Sequence, residues 1–258
     1  MKALEIASLG MLAQQQNVDV LANNLANMNT TAFRRSQAAF QDLIYTNMAR
    51  PGSSKSRAGP LVPAGIQSGH GVQLSSTFRV NEQGSLRATN NTLDMAIKGN
   101  GYFQIQLPNG QTAFSRIGTF QLNNEGQIVT HDGNPLAGGI TIPPNAIDVT
   151  INASGGVQVK LQGNSTFQTV GQIELATFQN QGGLDARGDG LFLATTSSGP
   201  PTPGIPGLEG RGTILQGFLE TSNVNPIHEI SKLIAAQRAY EMNSRVVKAA
   251  DDAMGSPQ

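Results

Sequence analysis

The chain contains no cysteine and no tryptophan, and its 258 residues carry little charge. Without cysteine it has no disulfide, no thiolate nucleophile and no Cys-ligated zinc. Charged side chains make up 13% of the residues, about half the roughly 25% of an ordinary soluble domain. They balance to a net charge of +0 at pH 7, and no block of like charge occurs. The electrostatic footprint of a nucleic-acid or anionic-membrane binder is therefore missing. No apolar run approaches the roughly 18 residues of a membrane span. Lys2, followed by Glu5 and then Gln14-Gln15-Gln16, makes residues 1–16 a poor secretory signal.

What fills the surface instead is amide: 21 Asn and 22 Gln. Residues 1–28 read as a helix, because Leu4, Ala7, Met11, Gln14, Val18, Leu21, Leu25 and Met28 alternate spacings of three and four. Its other faces carry Asn17, Asn23, Asn24 and Asn27, which suits packing against more protein. A second helix is expected from Pro226 to about Met254. Asn225 caps it, Pro226 fits its first position, and Gly255-Ser256-Pro257 stops it. This helix has two apolar stripes: Ile230, Leu233, Tyr240, Val247 and Met254, then Ala235, Ala239, Met242, Val246, Ala249 and Ala253. One helical partner cannot cover both faces, so a second must come from elsewhere.

Between the helices the sequence turns β-branched and Gly-punctuated. Asn81–Gly84, Asn123–Gly126 and Asn152–Gly155 each place Asn first and Gly fourth between apolar residues, which predicts three β-hairpins. Asn109-Gly110 marks a fourth turn. Strands are expected at 95–97, 102–107, 113–117, 157–161 and 171–178. Residues 50–71 and 195–212 are Pro-, Gly- and Ser-rich, so neither supports a central strand. The fold expected is α+β, with the terminal helices paired in a coiled-coil-like layer and a central antiparallel β-rich domain. The corresponding boundaries are 1–35 and 223–258 for the helical domain, 36–75 and 196–222 for connecting regions, and 76–195 for the β domain.

Residues suited to catalysis are scattered. His70, His131 and His228 lack zinc-ligand spacing and read as solvated. Glu82, Asp94, Glu125, Asp132, Asp148 and Glu174 could form acid/base pairs, but a glycosidase cleft needs aromatics that are scarce here. Arg34-Arg35 reads as a solvated or interface pair. No enzyme activity, cofactor or metal is expected.

Three motifs carry a resemblance: Leu21-Ala22-Asn23-Asn24-Leu25-Ala26-Asn27, then Ala96-Ile97-Lys98-Gly99-Asn100-Gly101-Tyr102-Phe103, and finally Glu220-Thr221-Ser222-Asn223-Val224-Asn225 with Ala236-Gln237-Arg238-Ala239-Tyr240-Glu241. In this order the chain resembles the bacterial flagellar rod and hook axial proteins. Phe33-Arg34-Arg35 and Phe40-Gln41-Asp42-Leu43-Ile44-Tyr45 look most like distal rod subunits. Asn23, Asn24, Asn27, Ser222, Asn223, Gln237 and Arg238 are the motif residues carried over. The resemblance implies terminal helices lining a hollow tube, a β domain outside them, and export through the flagellar type III apparatus without a cleaved signal. The implied setting is the periplasmic rod of the basal body. Implied partners are further copies of the chain, other rod and hook proteins, and the surrounding rings, with no nucleic acid and no membrane insertion. The implied assembly residues are Leu4, Met11, Val18, Leu21, Leu25, Met28, Ile230, Leu233, Tyr240, Val247 and Met254. A proximal rod or hook subunit, and a secreted β-rich adhesin, are the alternatives. Thr46–Pro63 is expected to lie extended along neighbouring subunits and couple them.

Overall fold

The computed structural model describes residues 2–49, 66–163 and 166–255. The chain divides into two compact units. Residues 50–63 of the expected coupling segment, and residues 256–258 after the second helix, lie outside the described residues.

The first unit comprises Met1–Ala26, Ser36–Val80 and Asn225–Gln258. Helix α1 spans Lys2–Ala26 and helix α2 spans Pro226–Gly255, and the two pack along each other. They run antiparallel: Asn24 meets Glu229 near one end, and Gly10 lies against Asn243 further along. A Cβ on Gly10 would stand 2.8 Å from the Asn243 amide, so glycine permits this close approach. At the start of α2 the Asn225 side chain accepts the His228 amide at 3.3 Å, as expected of an N-cap. Helix α1 ends at Ala26, so Met28 falls in the following turn and leaves the helical seam.

The rest of this unit is a ribbon absent from the sequence-based expectation. Ser36–Asp42 pairs antiparallel with Val72–Arg79, and Tyr45–Ala49 with Ile66–Gly69. Leu43 donates its amide to the Gly71 carbonyl at 2.9 Å between the two pairings. His70 sits at that junction with Nδ1 2.8 Å from the Ile44 carbonyl and Nε2 3.3 Å from Thr46 Oγ1, and is therefore not simply solvated.

The second unit comprises Asn27–Arg35 and Asn81–Val224. A six-stranded antiparallel sheet runs in the order Asp185–Gly188, Leu191–Leu193, Thr112–Ser115, Tyr102–Gln106, Leu175–Thr177 and Thr202–Gly204. A three-stranded sheet is built from Ala146–Ile151, Gly156–Leu161 and Phe167–Gln172. Phe103, Ile105, Phe120, Ile128, Val157 and Ile173 fill one core. Each such side chain contributes about 1.5–3 kcal/mol on burial. Tyr102, Phe114 and Phe178 form a second, with the Phe114 and Phe178 rings edge-to-face at 4.8 Å.

Two of the three expected Asn-x-x-Gly hairpins form: Gly126 and Gly155 take φ of 77° and 85° between paired strands. The Asn109-Gly110 turn also joins paired strands. The third, Asn81–Gly84, is not a hairpin. The strand before it pairs with Ser36–Asp42, and Leu86–Ala88 after it pairs with Phe218–Glu220. Its glycine is required for a different reason, since a Cβ there would lie 1.9 Å from the Thr221 carbonyl oxygen. The expected strand 171–178 is broken at Ile173-Glu174 and serves two sheets. The Pro-rich 195–212 stretch contributes Thr202–Gly204, an edge strand, where Pro203 is tolerated.

Candidate assembly interface

The motif residues of α1 and of the turn that follows it divide by burial. Asn24 is 1% exposed and fully engaged: its Nδ2 donates to the Ser36 carbonyl at 2.8 Å and to Glu229 Oε2 at 3.0 Å, while its Oδ1 accepts the Ser36 amide at 2.8 Å. One buried amide thereby ties α1 to the ribbon and to α2. Glu229 is 2% exposed and also meets Lys232 at 3.5 Å, so the Asn24 bond helps to hold a carboxylate that burial would otherwise penalise. The sequence reading missed Glu229; an acidic residue in the first turn of α2 was the available signal. Asn23 is exposed and Asn27 half-buried, with Asn27 Oδ1 accepting the Thr30 hydroxyl at 3.1 Å.

Leu21 is buried within the protomer, and Leu4, Met11, Val18 and Leu25 are half-buried. Leu233 and Val247 of α2 are likewise half-buried. Ile230, Tyr240 and Met254 remain 44%, 41% and 52% exposed, and Met28 is exposed in its turn. On the second stripe of α2, Ala239 is half-buried, whereas Ala235, Met242, Val246, Ala249 and Ala253 are exposed. Gln237 and Arg238 are exposed.

The other motif residues build a polar centre in the second unit. Glu220, 2% exposed, accepts Arg116 Nε at 2.9 Å and stands 2.9 Å from Arg116 Nη2 and 3.5 Å from Arg34 Nη2. Arg116 then donates to the carbonyls of Ile97, Gly99 and Gly101. Gly99 and Gly101 take φ of 108° and 139°, which lets the Lys98–Gly101 turn present those carbonyls to one guanidinium. Arg34 also donates to the Asn81 carbonyl. Desolvation, reinforced by the neighbouring Arg116 charge, holds the Arg34 guanidinium below its ordinary pKa. Arg34 is therefore buried rather than solvated, and Arg35 is half-buried, 3.5 Å from Glu82. Asn223 Oδ1 accepts the Arg35 amide at 2.7 Å and its Nδ2 donates to the Glu82 carbonyl at 3.0 Å; Ser222 Oγ accepts the Val224 amide at 3.3 Å.

Of the six carboxylates weighed for acid/base work, Asp94 is buried and accepts the Asn91 amide, and the other five are exposed. Among the described residues no group of three or more His, Asp and Glu side chains is placed to hold a metal, and no helix is long and apolar enough to cross a membrane.

The chain is an α+β protein with paired terminal helices and an intervening antiparallel β region, and comparison with known proteins gives the family. Residues 4–34 match the family described as "Flagella basal body rod protein", 96–159 match "Flagellar hook protein FlgE/F/G D1 domain", and 215–256 match "Flagellar basal body rod FlgEFG protein C-terminal". The chain is 54% identical to the flagellar basal-body rod protein FlgG of Caulobacter vibrioides, over 97% of this chain and 96% of that protein. It is 43% identical to FlgG of Buchnera aphidicola from Schizaphis graminum, over 96% and 95%. To the rod protein FlgF of Caulobacter vibrioides it is 33% identical, over 95% and 91%. The chain belongs to the flagellar basal-body rod protein family, as a structural subunit of the bacterial flagellum located in the basal-body rod.

Proposed function

We propose that the chain is a distal-rod subunit, polymerising into a hollow shaft that carries torque from motor to hook, with no catalytic role. The observation that carries this reading is the uncovered second stripe of α2. The helix pair already covers the α1 seam inside the protomer, yet Met242 and Val246 remain 61% and 48% exposed at the centre of a stripe several turns long. A contiguous apolar stripe of this kind is accounted for by a partner, and a repeating assembly supplies one from a neighbouring copy. The higher identity to FlgG than to FlgF within one organism favours a distal-rod subunit of the FlgG type. Other rod and hook subunits, the surrounding rings and the type III export apparatus are the further partners proposed. The exposed members of the proposed contact are Met28, Ile230, Tyr240 and Met254 together with Met242 and Val246, while Leu4, Met11, Val18, Leu21, Leu25, Leu233 and Val247 hold the helix pair that presents them. The helical segments are proposed as the assembly domain, the β region as the outer domain and Thr46–Pro63 as the coupling segment between copies.

Met242→Asp tests the stripe. The side chain is exposed in the protomer, so the carboxylate costs little there, and it is desolvated only in the assembly. The exported, folded subunit is expected to form no rods in electron micrographs of basal bodies. Rods of normal number and length would refute the assignment.

A further inference from the structure

The uncovered stripe of α2 is edged by charge at a fixed interval. Ala235, Ala239, Met242, Val246, Ala249 and Ala253 alternate spacings of four and three, as the a and d positions of a heptad do. On that frame Arg238, Arg245 and Asp252 occupy successive g positions, seven residues apart and beside the stripe. All three are exposed, and none makes an ion pair among the described residues. The e positions, Ala236, Asn243 and Ala250, are buried or half-buried within the protomer. Helix α1 offers an uncovered row of its own, Glu5, Leu12 and Asp19, also seven apart, exposed, and without an ion pair for either carboxylate. Charged g positions beside an apolar seam select the partner and its register in paired helices.

We propose that the α2 stripe receives the Glu5–Leu12–Asp19 face of α1 from a second copy of this chain, antiparallel, with Arg238 paired to Asp19 across the contact. This rests on the assembly reading above and names the surface and pairing it uses. The direction follows from the protomer. Asn24 lies opposite Glu229 and Gly10 opposite Asn243, so α1 and α2 are antiparallel within one copy, and copies stacked in one sense along a shaft keep that relation between neighbours. In the protomer the facing positions sum to 253; Asp19 opposite Arg238 sums to 257, a shift of about one helical turn. In that register Arg245 falls beside Leu12, where its stem covers the apolar side chain. At the far end this register sets Asp252 opposite Glu5, and Lys2, one turn from Glu5 on the same helix, offsets the two carboxylates.

A charge swap tests the pairing in a strain whose chromosomal copy is deleted and replaced by each variant, scoring rods in isolated basal bodies by electron microscopy and export by immunoblot. Asp19→Arg and Arg238→Asp should each be exported and each lower the number of complete rods about tenfold or more, since either one juxtaposes like charges. The double variant D19R/R238D should restore them. Wild-type rod numbers in either single variant, or a double variant no better than the singles, would overturn the proposal. Complete rods in the deletion strain itself would instead overturn the function on which it rests. Should Asp19→Arg block export, sedimentation of the purified full-length chains decides: wild type and double variant are expected to pellet and the single variants to stay in solution, and equal pelleting of all four would overturn the pairing.

Discussion

At the scale of single residues, the side chains with most at stake are the buried polar ones. Asn24→Ala removes three hydrogen bonds and leaves the Ser36 amide and Glu229 without that partner, a cost of about 1–3 kcal/mol. Urea unfolding of the purified chain should show it as a lowered midpoint, with Glu229→Gln milder because its amide oxygen still accepts from Asn24. Glu220→Ala strands two buried arginines facing each other and is expected to cost about 3–5 kcal/mol, the penalty for breaking a buried ion pair by removing one partner. Thermal unfolding would reveal it, and an unchanged Tm would remove the cluster from the list of what holds the second unit together. Asn24, Arg34 and Glu220 were all visible in the sequence as members of quoted motifs. Their burial within the protomer was not, because an Asn-rich face suited to packing names no partner and an Arg-Arg pair reads equally as solvated or interfacial until the chain brings Ser36, Glu229 and Arg116 to them from 12, 205 and, for Glu220, 104 residues away.

At the scale of elements, periodicity served the helices well and the strands unevenly. Helix α2 was legible at both ends because cap, proline and stop are local signals acting within a turn. The ribbon from Ser36 to Arg79 was not, since its strands pair across a Pro- and Gly-rich stretch whose composition reads as linker. The Asn81–Gly84 hairpin was expected from local turn chemistry, but a crossing with Thr221 imposes its glycine, and a long-range contact of that kind leaves no local trace. The two stripes of α2 have different coverage, and this yields a test at the same scale. Lys248, Arg245 and Arg238 lie exposed in the monomer, on the helix whose second face is uncovered. Limited trypsin digestion of the purified chain should cut there first, because segments with few buried apolar contacts open at low cost. The same sites should resist in assembled rods. Equal cleavage in both states would mean that α2 meets no neighbour.

At the scale of the whole molecule, chain order and spatial order differ. Each unit is assembled from separated stretches, the first from three and the second from two. The helical unit thus takes its parts from both ends of the chain, an arrangement in which a subunit can polymerise through one unit while the other keeps its own core. The alternation of helix, Gly-rich β region and helix made this nesting legible. The incorporation of Asn27–Arg35 into the β-rich unit was not legible, because the contacts that hold it, Arg34 with Glu220 and Asn223 with the Arg35 amide, join residues almost 190 apart. The central claim is that this chain forms the distal rod by polymerising through its terminal helices. Electron cryomicroscopy of basal bodies from a strain lacking only this chain tests it most directly. The expected result is a rod that ends short of its normal length and carries no hook, with α1 and α2 lining the tube in complemented rods. A full-length rod bearing a hook in the absence of the chain would contradict it.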